Sequence, residues 1–275
     1  MSLFGSGRGI SLPPVVKNII IINVIVFVAT QLSQYALNSD FMVRHLALFP
    51  LRSPLFEPHQ IVTHMFMHAN VMHIFFNMFA VFMFGRILEQ LWGSKKLLIF
   101  YTITGLGAAL VHLTVNYFQM NHIINMAHQF NNSPSYTLFN QIVNKFPGGP
   151  PNEIVSFMQQ WFYKPDDITF IPQAKQFVQD VLTTNLMIPT IGASGAVFGL
   201  LIAFAMLFPD VELMLIFLPI PIKAKYLVPF YALAELFFGV AGFKGDNIAH
   251  FAHLGGALFG FILVKLWKRD QFRIN

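Results

Sequence analysis

The chain has 275 residues, of which 17 are Lys or Arg and 12 are Asp or Glu, so charged residues make up 11% against the ~25% usual for soluble domains. The nine apolar residue types supply 55%, and 32 residues are Phe. So few charges cannot cover a soluble surface, which excludes a cytosolic globular domain, and so apolar a chain is not disordered. With no Cys, disulfides, a thiol nucleophile, an iron–sulfur cluster and a thiolate zinc site are excluded too. The net charge of +5 is better explained by membrane topology than by nucleic acid, which is not expected as a partner.

Six apolar stretches are each long enough to cross a bilayer as a helix: 16–35, 71–88, 97–117, 191–208, 226–243 and 248–267. A span needs ~20 mostly apolar residues, and nothing here alternates like a barrel strand. The predicted fold is therefore an all-α polytopic bundle. The fourth stretch is the least regular, because the apolar run continues past Pro209 into 213–222. With six spans both termini share one side. Eleven Lys/Arg fall on that side and six on the other, where Lys145, Lys164 and Lys175 sit in one long loop. The basic side faces inward, so both termini are expected in the cytoplasm, with a bacterial inner membrane as the expected home. The first span has a basic flank without a small-x-small cleavage site, and it reads as an anchor.

Residues 118–189 differ from the rest. They are polar, rich in Asn and Gln, and carry a turn signal at Gly148-Gly149-Pro150-Pro151. Helix-like spacing recurs over 153–164 and 173–184. By the topology above this segment lies outside the membrane on the far side, as a partly helical cap inserted between spans three and four. Residues 1–117 and 190–275 then form one membrane unit around it.

Polar residues inside spans are costly and demand a reason. The first group leads into the second span: His64, His68, His73 and Asn77. His73 and Asn77 stand four apart, so an imidazole N–H and an amide N–H converge on one point. They can hold a negative oxygen, one such donor being worth ~3 kcal/mol in a transition state. The plainer reading is an interhelical hydrogen-bond pair, worth about 0.6 kcal/mol. His64 and His68 share a face and could ligate a metal, but there is no H-E-x-x-H and no third ligand, so no metal is expected.

Just past the second span, Glu89 precedes Gly93-Ser94. It is expected to fix the turn into the third span and not to act in chemistry. At the outer start of the fourth span stands Gly192-Ala193-Ser194-Gly195, with Phe198 four residues after the serine. Flanking glycines uncover the hydroxyl, and a helix start directs free N–H groups at a developing oxyanion. Small residues that let helices pack closely are the competing explanation. Glu235, in the fifth span, reads equally as a helper near a site or as a buried structural acid. In the sixth span His253, Gly256 and Gly260 lie on one helical stripe, with His250 one turn earlier. If the helix carrying Ser194 packs on that stripe, the imidazole can activate the hydroxyl.

In this order and spacing the motifs resemble those of rhomboid intramembrane serine proteases: H-x-x-x-H-x-x-x-x-H-x-x-x-N at His64, His68, His73 and Asn77, E-x-x-x-G-S at Glu89, G-x-S-G at Gly192–Gly195, and A-H-x-x-G-x-x-x-G from Ala252 to Gly260. The resemblance implies Ser194 as nucleophile and His253 as general base. His73, Asn77 and the Ser194 backbone N–H are implied as oxyanion donors. His64, His68, His250, Gly192, Gly195, Phe198, Gly256 and Gly260 are implied in support. It further implies transmembrane proteins as substrates, cleavage within the bilayer, no cofactor, and a Ser–His pair without a carboxylate. That last point fits a sixth span with no acid beside His253; Asp246, in the preceding loop, is a poor candidate.

Three features depart from the family pattern. His59-Gln60 stands where Trp-Arg is common, Phe198 stands where Tyr is common, and the 118–189 insertion is unusual. The insertion is expected to restrict or guide substrate access. Two other readings stay open: an inactive relative that binds membrane clients, and a transporter or metal channel using the histidines.

Overall fold

The computed structural model describes residues 12–215, 218–241 and 249–271. Helix α1 (Pro14–Gln31) starts on a proline at its first turn, where the missing N–H costs nothing. Two short helices, α2 (Phe41–Leu46) and α3 (Gln60–Thr63), lie in the loop that follows. Helix α4 (Val71–Ala80) is capped by Asn70, whose side-chain oxygen accepts the His73 N–H at 2.9 Å. A π-helical turn, Val81–Gly85, joins it to α5 (Arg86–Trp92).

Helix α6 (Ser94–Asn132) has 39 residues, about 58 Å at 1.5 Å per residue. Helices α7 (Tyr136–Val143), α8 (Asn152–Phe162) and α9 (Ile171–Met187) follow, and then α10 (Ser194–Leu207). An antiparallel hairpin, β1 (Glu212–Leu215) and β2 (Leu218–Lys223), leads to α11 (Ala224–Ala241) and α12 (His250–Gln271).

Among the described residues five helices are long and apolar enough to cross a membrane: Pro14–Ala36, Val71–Trp92, Ser94–Asn132, Ala224–Ala241 and His250–Trp267. Helix α10, at 14 residues, falls short of that length. The molecule is an all-α polytopic membrane bundle with one small hairpin. Ile25, Phe75, Phe230 and Val240 are among many large apolar side chains left exposed; in lipid such a surface is solvated, whereas in water it would drive aggregation. At the centre α6, α10 and α12 pack together around Val197, Leu200, Ala203 and Val264.

The structure corrects one expectation and refines another. The third span does not end at Tyr117 but runs unbroken to Asn132 as part of α6. Its outer half supplies Met120, Ile123, Met126 and Phe130 to a second core with Phe139, Trp161 and Val181, so the helix is held by apolar packing where its sequence turns polar. The segment expected to be partly helical is mostly helix, and α7 was not foreseen. Within the apolar run beyond α10, β1 and β2 pair antiparallel, Glu212 with Lys223 and Leu213 with Ile222, and Pro219 and Pro221 suit a strand better than a helix interior. Phe243, Asp246 and Ile248, named in the expectations above, lie outside the described residues.

Candidate active site

Ser194 is the first residue of α10, so its backbone N–H and those after it lack helical partners. At that end α12 comes very close. A methyl group at Gly256 would collide with the Gly195 carbonyl, and one at Gly260 would sit 2.9 Å from the Gly199 Cα. The glycine stripe on α12 therefore does what its spacing predicts. Across that contact His253 Nε2 lies 2.8 Å from Ser194 Oγ. Phe198, one turn into α10, stacks on the imidazole with ring centroids 4.4 Å apart and planes 10° from parallel.

Gly192 has φ of +128°, a conformation that disfavours side chains. A methyl there would stand 2.9 Å from His73 Nε2 and 3.6 Å from Ser194 Oγ. The glycine thus leaves open the gap between serine and histidine. His73 Nδ1 lies 3.3 Å from the Ala69 backbone N–H and accepts from it. That assigns the ring proton to Nε2, which faces Gly192 and the serine. Asn77 is buried, and its Nδ2 donates to the His73 carbonyl at 3.1 Å, keeping a second hydrogen for another acceptor. Ser194, His253, His73 and Asn77 all line one cavity of about 840 Å³, which Gln119, Asn185 and Ile188 from the 118–189 segment also wall.

Not every supporting residue reaches this cavity wall. His64 is buried behind it, with Nδ1 bonded to the Gln60 carbonyl at 2.9 Å and its own carbonyl accepting from Gly192 N–H. His68 is buried edge-on to His73, and neither ring nitrogen has a hydrogen-bond partner among the described residues. Burial lowers the pKa of His64 to about 4; burial, then the neighbouring His73, lowers that of His68 to about 3. Both are held neutral.

Gln60 occupies the place where the resemblance would put Arg. It is fully buried, donates to the Arg44 and Leu55 carbonyls and accepts from Phe49 N–H, so one amide ties the first loop together. That loop reaches the site through Leu48, paired by two backbone hydrogen bonds with Thr190.

The largest addition is Glu235. Its Oε2 lies 2.9 Å from His253 Nδ1 and 2.6 Å from His250 Nδ1. An acid therefore does sit beside His253, delivered by α11 and not by the histidine's own helix. These three groups also place their ligand atoms within 4.8 Å of one another, close enough to hold a metal ion. Their hydrogen bonds already account for the arrangement. His112 of α6, paired with Thr190 at 2.7 Å, also lines the cavity and was missed. The signal was there, since a histidine inside a span calls for a role.

Comparison with known proteins divides the chain. Residues 155–269 match the Rhomboid domain, and residues 19–138 match a eukaryotic integral membrane protein family of unknown function. An uncharacterized mitochondrial rhomboid protein of Schizosaccharomyces pombe is 29% identical over 220 residues, covering 76% of this chain and 51% of its own length. The rhomboid protease AarA of Providencia stuartii is 38% identical over 58 residues, 21% of either chain. A chloroplastic rhomboid-like protein of Arabidopsis thaliana is 35% identical over 77 residues, 28% of either chain. The matches thus span about half the length or less of these curated relatives.

Proposed function

We propose, from the premise that this chain belongs to the rhomboid family of membrane proteins, that it is an intramembrane serine endopeptidase acting on transmembrane segments. One observation carries the reading: an imidazole nitrogen 2.8 Å from a serine hydroxyl at a helix start, facing a cavity. His253 takes the Ser194 proton as Oγ attacks a peptide carbonyl, giving an acyl-enzyme. His73 Nε2–H, Asn77 Nδ2–H and the Ser194 backbone N–H stabilise the oxyanion. His253 then protonates the leaving amine and activates water for deacylation. No step calls for a cofactor.

In this reading α10 is the fourth of six crossings, completed by the segments at its ends, and both termini face the cytoplasm of a bacterial inner membrane. Residues 118–189 are an insertion on the opposite side. Their presence in the cavity wall supports a role in limiting which substrates reach Ser194. A helical substrate hides its own peptide bonds and must unwind, so Gly, Pro or small residues are expected near the cut.

The test is the protein reconstituted with a fluorogenic transmembrane substrate and a fluorophosphonate probe. Cleavage and labelling are expected in the wild type, with both lost in Ser194→Ala and cleavage lost in His253→Ala. Full cleavage by either variant rejects the assignment. Client binding with no cleavage and no labelling would make the protein an inactive relative.

A further inference from the structure

Glu235 belongs to none of the motifs that carry the family resemblance, yet among the described residues its carboxylate is the acid that meets the Ser194–His253 pair. Its side chain is 5% exposed, and one oxygen, Oε2, meets both His253 Nδ1 at 2.9 Å and His250 Nδ1 at 2.6 Å. An ionised carboxylate only accepts hydrogen bonds, so each Nδ1 facing it carries a hydrogen. A neutral imidazole has one N–H. With the proton of His253 on Nδ1, its Nε2 is a bare lone pair, and that nitrogen is the one 2.8 Å from Ser194 Oγ.

We infer that Glu235 is a positioning residue that holds His253 in its Nδ1–H tautomer, turned with Nε2 toward Ser194. The inference rests on the protease reading and extends its Ser–His pair to a Ser–His–Glu relay of hydrogen bonds. Two contacts divide the work of holding the ring. Phe198, backed by Tyr231 at 5.0 Å, fixes the plane of the imidazole, and Glu235 fixes its rotation within that plane. His250 meets the same oxygen at 2.6 Å and so helps to hold the acceptor in place. The carboxylate also opposes the positive charge that His253 acquires when it takes the serine proton, as the buried acid of a serine-protease triad does.

Among the described residues, the polar groups around His253 are Ser194 from α10, Glu235 and Tyr231 from α11, His73 from α4, His112 from α6, and His250 from its own helix. Glu235 is the one acid among them.

The experiment compares wild type, Glu235→Gln and Glu235→Asp in detergent, using cleavage of a transmembrane substrate and the rate of fluorophosphonate labelling at Ser194. Glu235→Gln is expected to lower kcat by about 10²–10⁴-fold with KM within a few-fold. Glu235→Asp is expected to recover part of the rate. Melting temperatures show whether each variant is folded. Independently of any variant, nitrogen NMR of wild-type protein with labelled histidine is expected to show His253 protonated at Nδ1. Three results overturn the inference alone: an active wild type with Glu235→Gln within threefold of it, His253 protonated at Nε2, or activity lost to a chelator and restored by zinc. A wild type that neither cleaves nor labels removes the protease reading, and this inference with it.

Discussion

Two buried glutamates stand at opposite ends of the bundle, and their partners give them different work. Glu89 accepts from the backbone N–H of Val15 at 3.0 Å, of Val16 at 2.9 Å, and from the Ser94 hydroxyl at 2.6 Å. It ties the start of α1 to the turn into α6, beside Trp92 and Trp267 in edge contact. Every partner is a neutral donor with no proton to exchange near neutral pH. Glu235 accepts from two imidazoles, one of which touches the serine. The same side chain, equally buried, is a fastener at one end and, in the proposed mechanism, an adjunct to proton transfer at the other. Burial alone does not mark a functional acid; the titratable character of its partners does.

The comparison sharpens at the cavity end first. His73→Ala is expected to lower kcat by about 10²–10³-fold, the loss typical of one oxyanion donor, with little change in melting temperature. Steady-state kinetics beside a thermal melt checks this, and an unchanged kcat removes His73 from the oxyanion site. At the other end Glu89→Gln is expected to cost about 2 kcal/mol of stability, because an amide leaves at least one buried donor poorly paired. Activity per folded molecule should hold. If instead kcat collapses with the fold intact, the division of labour between the two acids is wrong.

Asn70→Ala is a smaller change on the cavity side. It removes the cap on α4 and is expected to cost about 1 kcal/mol in denaturant unfolding. Some loss of kcat should accompany it, since the capped N–H belongs to His73. The smallest effect concerns pH. His64 and His68 are neutral in the fold, with pKa values lowered to about 4 and about 3, whereas unfolded histidine takes up a proton near 6.5. Their lowered values stabilise the fold fully above about pH 6.5, and that contribution is lost as pH falls towards 4 and then 3. Melting temperature should therefore drop across that window, and less steeply in His68→Leu. An equal slope in that variant would show that His68 is not a source of the acid sensitivity.

Much of this was legible from residue order. Ser194, His253, His73 and Asn77 line one cavity as their motif spacing implied, and the Gly256–Gly260 stripe is where α10 approaches α12. Glu89 holds the turn that its neighbours Gly93 and Ser94 announced. Glu235 was visible as a buried acid of undecided use. Its helix shows apolar residues on all sides, so periodicity could not tell which face meets α12. His112 stood inside a span and was passed over. The continuation of α6 to Asn132 was hidden because the helix turns polar while packing against α7 and α9.

What residue order determined by itself was local: where apolar runs form helices, where glycine permits a close approach, and which residue types can exchange protons. Hydropathy and helical spacing are properties of neighbours along the chain. Only the tertiary structure decided that an acid on α11 meets a histidine 18 positions later on α12, and that a soluble-looking segment helps to wall the cavity. The reason is physical: helix rotation and pairing are set by side-chain packing between elements, and no single helix carries that information.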